Sequence, residues 1–233
     1  MVRSQDYKQK DFIPPWPENK SVCKLLKFGA REHMRQLWDE GVLFMRPLED
    51  YKSMEGDSCR HDRNEGVGYV YNDVNVTLGD LVLSPKEDFE RCTWTPDGIR
   101  WNVYCMFSIQ KDAGCFNLPL IDPRNFEFGD TAAIITDATE FLNRVKRSIK
   151  LNSKSQNFAW WLVKYIDFTE SEGIVGPFRK DKKYSYQNEF RIAVQALSDI
   201  KSEPLFLRLG SLRDIVSLHD IKSLNAELQT SLK

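Results

Sequence analysis

The sequence predicts an α+β fold with a mainly antiparallel sheet and flanking helices. Most of its patterned stretches read as strands, only two read as helices, and no internal repeat is present. The chain has 233 residues, of which 41% are hydrophobic and 29% charged, so it can bury one substantial core. We therefore expect an N-terminal leader over residues 1–20 and a single domain over residues 21–233.

The first elements read as a strand, a helix and a second strand. Residues 21–29, SVCKLLKFG, form a short apolar run, and the apolar residues of 30–41 recur at helical spacing before a glycine stop. Residues 42–51 follow as a strand that Pro47 terminates. Residues 52–66, KSMEGDSCRHDRNEG, are a polar loop, and loops of such charge density often carry function.

The middle of the chain adds more strands and one amphipathic helix. Residues 67–83 alternate in the manner of strands with a turn at Gly79-Asp80, residues 84–100 read as a loop, and residues 101–109, WNVYCMFSI, read as a buried strand. Residues 132–150 run from a strand into a helix. Its apolar stripe is predicted to face the core and consists of Phe141, Leu142, Val145 and Ile149.

The C-terminal third is predicted to form further strands. These cover residues 160–168, residues 182–194 (KKYSYQNEFRIAV), and residues 204–220, where a strand and a Gly turn leave room for one more strand. In residues 182–194 strand alternation places the aromatic and aliphatic side chains on one face. The other face carries Gln187, Glu189 and Arg191, and the question is what this polar face meets.

Composition and charge exclude several classes of protein. The net charge is -1, no window approaches the roughly 18 apolar residues of a membrane span, and the N-terminus lacks the apolar run of a secretion signal. We therefore expect a cytoplasmic protein with no membrane association. Five cysteines without a C-x-x-C pair argue against a disulfide framework and a zinc knuckle, and the separated histidines do not indicate a metal site.

The order strand, helix, strand at the N-terminus, the middle strand WNVYCMFSI and a late strand with Q-x-E resemble the mono-ADP-ribosyltransferase superfamily. The similarity includes bacterial toxin and phage-defence members that modify nucleic acid. It implies a split sheet with NAD bound as substrate at the split, and Glu189 and Gln187 as catalytic residues. Lys27 stands where the family has a first-strand Arg or His, which is a departure from the family's pattern. The Ser-Thr-Ser element of one branch is absent, and Ser108 and Tyr104 are the candidates left there for contact with NAD.

The chemistry of NAD explains these residue types. Cleavage of the nicotinamide–ribose bond passes through an oxocarbenium-like cation, which a fixed carboxylate such as Glu189 stabilises while it accepts a hydrogen bond from a ribose hydroxyl. Gln187 would hold the acceptor without adding charge. The pyrophosphate needs cationic partners, and no G-x-G-x-x-G is present. The candidate contacts to NAD are Lys27, Arg60 and Arg63 for the pyrophosphate, with Asp62 and Glu65 orienting the guanidinium groups, and Phe28 or Tyr104 for the nicotinamide ring.

The acceptor is predicted to be a nucleic acid, with RNA favoured over DNA. Q-x-E rather than E-x-E disfavours arginine as acceptor, because a second carboxylate is the usual means of orienting a guanidinium. Lys182 and Lys183 would flank the mouth of the cleft, where a phosphate backbone can run, and Tyr184 or Tyr186 would stack on a base. By resemblance to toxin members, an antitoxin protein is an expected partner.

Two other classes remain open at this point. A metal-dependent nuclease would need Asp62, Asp167 and Glu189 to converge on a cation, although the E-x-K spacing is missing. A non-catalytic module would bind nucleic acid or an acidic protein through the basic stretches at residues 144–154 and 179–183.

Overall fold

The computed structural model describes residues 13–15, 20–54, 61–62, 64–71, 76–78, 81–83, 92–94, 100–112, 120–152, 155–168, 173–196 and 203–230. Within these ranges the helices are α1 (Arg31–Glu40), α2 (Ala138–Leu151) and α3 (Ile221–Thr230). The strands there are β1 (Lys20–Gly29), β2 (Val42–Pro47), β3 (Tyr69–Tyr71), β4 (Val76–Leu78), β5 (Leu81–Leu83), β6 (Cys92–Trp94), β7 (Trp101–Asp112), β8 (Thr131–Ile135), β9 (Ser155–Leu162), β10 (Lys164–Ile166), β11 (Gly173–Ile174), β12 (Arg179–Asp181), β13 (Glu189–Ala196), β14 (Leu205–Arg208) and β15 (Val216–Asp220).

Eight of these strands form the main sheet, and all of their pairings are antiparallel. Six of the strands follow the order β14-β2-β7-β1-β8-β15. In addition, β13 pairs with β7, and β9 pairs with β13. The prediction of an α+β fold with a mainly antiparallel sheet is therefore confirmed. Outside the main sheet, β10 and β12 form a short parallel pair.

The central strand β7 shares one of its edges between two partners. Along one edge β13 pairs with it from Glu189 opposite Phe107 to Gln195 opposite Trp101. On the other edge β1 pairs with the C-terminal half of β7, beginning at Phe107, whereas β2 pairs only with Asn102 and Val103. The described pairings of β1 and β2 thus leave residues 104–106 between them, and the sheet forks at this point.

Alternation along the strands divides the core between the two faces of the sheet. One face packs against α1 and α2 through a large cluster that includes Leu37, Phe141 and Ile192. The other face packs against α3 and the 3-10 helical segment Pro123–Phe128, and Phe107 is one of the buried residues of that cluster. The predicted stripe of α2 is confirmed, because Phe141, Val145 and Ile149 are buried and Leu142 packs against the same cluster.

Local signals explain where the helices begin and end. Asp137 caps α2, because its carboxylate accepts a hydrogen bond from the backbone N–H of Glu140 at 2.9 Å. Helix α1 ends at Glu40 and is followed by Gly41, whose φ of 65° is in the left-handed region that favours glycine. Over the described residues no helix is both long and apolar enough to cross a membrane.

Several sequence-based boundaries need correction. The predicted loop over residues 84–100 contains β6, and the predicted strand over residues 160–168 is the end of β9 followed by β10. Helix α3 was not predicted. The largest error concerns residues 182–194, because Lys182–Gln187 is a 3-10 helical segment and the strand begins only at Glu189.

Some expectations lie outside the described residues. These include the Gly79-Asp80 turn and most of the predicted leader over residues 1–20, of which the structure describes residues 13–15 and 20. The division into a leader and one domain over residues 21–233 therefore stays a prediction.

A close backbone approach holds the end of β1 against the segment Pro123–Phe128. Gly129 has a φ of 160°, which any residue can adopt, but a Cβ there would clash with the backbone of Gly29. We expect Gly129→Ala to lower the free energy of unfolding by about 2 kcal/mol, because backbone cannot move aside cheaply. Urea denaturation measures this. Glu127→Ala, exposed in the same segment, should leave stability nearly unchanged, and equal effects of the two substitutions would contradict the packing.

Candidate functional site

The fork of the sheet exposes a backbone carbonyl that Lys27 covers. At the end of β1, the Lys27 ammonium donates a hydrogen bond to the Cys105 carbonyl oxygen at 2.7 Å. The same ammonium lies 4.6 Å from the centroid of the Tyr104 ring. The Lys27 side chain therefore covers part of the stretch of β7 that pairs with neither β1 nor β2.

Two cavities meet at this fork. The smaller, of about 90 Å³, contains Gln187 and Glu189, and the larger, of about 570 Å³, opens toward α1 and β2. Their walls have five residues in common, Lys27, Phe28, Tyr51, Cys105 and Phe128. The larger cavity is within the usual size range of small-molecule sites. The two cavities are therefore adjacent, with Lys27 on the wall of both and Glu189 on the wall of the smaller one, and together they are called the cleft.

Lys180 brings the two predicted catalytic side chains together. Its ammonium donates to Oε1 of Gln187 at 2.7 Å and to Oε1 of Glu189 at 2.8 Å. The other carboxylate oxygen of Glu189 accepts a hydrogen bond from Nε of Arg191 at 2.7 Å. Gln187 and Glu189 are thus neighbours through a shared lysine, and not through the strand alternation that the sequence suggested.

Glu65 completes a buried network of two carboxylates and two cations. The Arg191 guanidinium donates to both oxygens of Glu65, with a distance of 3.0 Å from Nη1 to Oε2, and Lys180 lies 3.5 Å from Oε1. Arg191 also donates to the Pro177 carbonyl oxygen at 2.8 Å. Arg191 is 1% exposed and Glu189 is 7% exposed. The formal charges of these four side chains cancel, so the network can lie in the interior.

The network keeps Glu189 ionised. Burial alone would raise the pKa of its carboxyl, but Arg191 and Lys180 outweigh burial and lower that pKa to about 2. For Lys180 burial disfavours the charge, whereas Glu189 and Glu65 raise the pKa of its ammonium above the ordinary value. A fixed, ionised carboxylate therefore faces the smaller cavity at neutral pH.

Asp62 is a buried carboxyl beside this network. Its side chain is 1% exposed, and Oδ1 accepts a hydrogen bond from the backbone N–H of Asn64 at 3.0 Å. Within the described residues Oδ2 has no hydrogen-bond partner. Burial, reinforced by the charge of Glu65, raises the pKa of Asp62 to about 6. The proton of Asp62 is therefore held to a higher pH than that of an ordinary aspartic acid.

The polar loop before β3 contributes to the site through residues other than the predicted arginines. Arg60 and Arg63 lie outside the described residues, so their contact with NAD stays a prediction. Glu65 was expected to orient these arginines, and instead its carboxylate binds Arg191 of β13. The sequence could not indicate that partner, which lies 126 positions away along the chain.

The structure does not support contact between Ser108 and NAD. The Ser108 hydroxyl donates to the Asn188 carbonyl oxygen at 2.6 Å and accepts from Gln110 at 2.9 Å, and it lines neither cavity. Asn188 has a left-handed φ of 40°, so Ser108 acts by holding the turn that leads into β13. Tyr104 is buried in the core and reaches the larger cavity, where Lys27 covers its ring.

The predicted acceptor-binding residues occupy the 3-10 helical segment before β13. Lys182 and Lys183 are exposed but line neither cavity, so their place at the mouth of a cleft stays a prediction. Tyr184 is buried, and its hydroxyl donates to the His61 carbonyl oxygen at 2.5 Å, so its ring is not presented for stacking on a base. Tyr186 is partly exposed, but the Arg124 guanidinium lies 3.8 Å from its ring centroid. The expected stacking role of Tyr184 is therefore not supported.

Neither alternative class gains support from the described residues. In that part of the chain, Asp62, Asp167 and Glu189 do not form a group of carboxylates able to hold a metal, and cations occupy both oxygens of Glu189. Of the basic stretch at residues 144–154, Arg144 and Arg147 bind Glu140 of the same helix, and Arg144 also binds Asp214. Lys180, from the second basic stretch, is buried.

Sequence reasoning missed Lys180 and the role of Glu65. Lys180 is the middle residue of β12, and strand alternation turns it inward while its neighbours Arg179 and Asp181 are half-exposed. In the sequence it is one of several basic residues between 179 and 183, which read as a solvated cluster. Nothing in that composition separates the buried lysine from the exposed ones.

Removing one member of the network should be strongly destabilising. We expect Glu65→Gln to lower the free energy of unfolding by about 3 kcal/mol or more, because it leaves a buried cation uncompensated. Urea denaturation at neutral pH measures this. The matched control is Asp39→Asn, which breaks the exposed pair with Arg213 and should have a much smaller effect. Similar losses for the two variants would show that the network contributes no more than a surface pair.

The raised pKa of Asp62 predicts that the stability of the protein depends on pH. The folded state holds this proton more tightly, so ionisation costs stability as the pH rises from the ordinary pKa of 3.8 to about 6. Asp62→Asn should therefore be more stable than the parent at pH 7.5, by on the order of 2–3 kcal/mol, with the difference mostly gone at pH 4. Urea denaturation at both pH values tests this, and a variant less stable than the parent at pH 7.5 would contradict it.

Comparison of the chain with protein-family models, with curated proteins and with solved structures found no match in any of the three.

Proposed function

We propose that the protein is an ADP-ribosyltransferase that transfers ADP-ribose from NAD to a nucleic acid, with Glu189 as the essential carboxylate. The observation that carries the proposal is an ionised Glu189 at the start of β13, facing a cavity at the fork of the sheet. The fork between β1 and β2 is consistent with the split sheet of the resembled family, and it supports an ADP-ribosyltransferase-like fold.

Glu189 has the charge and the remaining acceptor capacity that the reaction needs. Each of its oxygens accepts one hydrogen bond from a cation, and a carboxylate has about four acceptor positions, so a ribose hydroxyl can still bind. The carboxylate would stabilise the oxocarbenium-like cation as the nicotinamide–ribose bond breaks. Because Lys180 and Arg191 fix it on two sides, it needs no reorganisation during the reaction.

The walls of the cleft supply groups suited to the rest of NAD. Phe28 lies beside the cavity, with its ring centroid 5.9 Å from that of Phe107, and an aromatic wall of this kind suits nicotinamide. Lys27 and His33 line the larger cavity and are candidate partners for the pyrophosphate. Arg60 and Arg63 remain predicted partners on the adjoining loop.

The acceptor would approach past Gln187. Its amide nitrogen donates to the Tyr186 hydroxyl at 3.3 Å, and its oxygen is bound by Lys180, so the side chain is held beside Glu189. The exposed Lys182 and Lys183 lie on the same short segment and would contact a phosphate backbone. We propose RNA before DNA as the acceptor. A modification of nucleic acid would be toxic to the cell, and an inhibitory protein partner of the antitoxin type is part of this proposal.

Purified protein incubated with adenine-labelled NAD and separate pools of RNA, single-stranded DNA and cellular protein tests the function. We expect label on RNA, and we expect Glu189→Gln to lower the rate by about 100-fold or more, because the charge is lost while the shape is kept. Label on protein alone would contradict the nucleic-acid acceptor, and turnover by Glu189→Gln at the parent rate would contradict the mechanism.

The matched control separates chemistry from folding. Val145→Ala removes a buried side chain of α2 that lines neither cavity, so it should destabilise the fold while its rate per folded molecule stays near that of the parent. The folded fraction of each variant is measured by circular dichroism at the assay temperature. Equal loss of rate per folded molecule in both variants would assign Glu189 to the structure and not to catalysis.

A further inference from the structure

Two large aromatic side chains lie exposed and side by side on the edge of the main sheet. Phe44 of β2 is 42% exposed and Phe206 of β14 is 57% exposed, and the two residues are opposite each other in the register. Their ring centroids are 5.1 Å apart. Alternation along the same strands buries Leu43 and Leu207 on the other side of the sheet, so the outward face carries the aromatic pair without a cover in the described residues.

Arginines flank this pair on the same face. The Arg46 guanidinium lies 5.5 Å from the centroid of the Phe44 ring. Arg208 follows Phe206 by two positions on β14 and is exposed, with its guanidinium 3.4 Å from Glu40. Two aromatic rings between two guanidinium groups match the chemistry of single-stranded nucleic acid, whose bases stack while phosphates lie on either side.

The face is continuous with the cleft. Phe44, Arg46 and Phe206 form part of the wall of the larger cavity, which shares Lys27 with the cavity that contains Glu189. A strand whose base stacks on these rings can therefore continue into the cleft. In contrast, the tyrosines of the segment before β13 are buried or covered by Arg124.

We propose that the outward face of β2 and β14, formed by Phe44, Arg46, Phe206 and Arg208, is a stacking platform for single-stranded nucleic acid. The proposal deepens the function proposed above by locating an acceptor-binding surface, and it rests on that function only in taking a nucleic acid as the acceptor. Stacking on aromatic rings is tolerant of base identity, so the platform binds single strands with little sequence preference, and duplexes, whose bases are covered, bind more weakly.

Fluorescence anisotropy with labelled single-stranded RNA of about 12 nucleotides, in the absence of NAD, tests the platform. Phe44→Ala and Phe206→Ala are each expected to weaken binding by about tenfold, because each removes one stacking surface. Phe44→Tyr and Phe206→Tyr keep the ring and should bind within about twofold of the parent. Arg46→Gln should weaken binding and flatten its salt dependence. Leu151→Ala, at an exposed apolar residue on α2, is the control and should bind as the parent does.

The outcomes separate this proposal from the proposed function. If RNA binds the parent and the Phe44→Ala, Phe206→Ala double variant equally, or does not bind the parent, the platform is wrong, whatever the NAD assay shows. If the double variant loses RNA binding while no NAD is consumed, the platform stands and the transferase does not. Two further results would overturn the platform: self-association of the parent that the double variant abolishes, seen by sedimentation velocity, or a double variant that loses affinity for NAD but not for RNA.

Discussion

The buried network of Glu65, Lys180, Glu189 and Arg191 is the interaction on which the site depends. It joins Glu65, from the polar loop before β3, to the short strand β12 and the first residues of β13, and Glu65 lies 126 positions from Arg191 along the chain. An unpaired charge in the interior is expensive, so these segments have a strong electrostatic reason to meet in one arrangement. The site is thereby positioned by charge as well as by apolar packing.

The fork of the sheet gives this network a ligand-sized space to face. Strands β1 and β2 share one edge of β7 and diverge from each other. On that edge the backbone of residues 104–106 therefore borders the cleft, whereas the residues on either side of this stretch pair with β2 or β1. The Lys27 ammonium donates a hydrogen bond to the Cys105 carbonyl oxygen at this point. Gly129 lies against Gly29, and the preceding residue, Phe128, forms part of the cavity wall. Carboxylate, cation and aromatic groups thus reach one cavity from different elements.

Sequence periodicity predicted the structural features that follow from the geometry of a single element. It missed the features that depend on contacts with residues far away in the sequence. The stripe of α2 and the polar alternation of Glu189 and Arg191 could be read directly, because both follow from the geometry of one element. The 3-10 segment before β13 could not be predicted in this way, because it is followed by Asn188, whose left-handed conformation is stabilised by Ser108 of β7. The pairing of Arg191 with Glu65 was equally hidden, because a buried ion pair leaves no periodic trace in the sequence.

The proposed function requires Glu189 to meet the ribose of NAD at the fork of the sheet. A crystal structure of the protein with a non-cleavable NAD analogue would show this contact. We expect a ribose hydroxyl within hydrogen-bond distance of the Glu189 carboxylate, the nicotinamide against Phe28 and the pyrophosphate near Lys27. An analogue bound elsewhere, or a cleft that stays empty at saturating analogue, would contradict it.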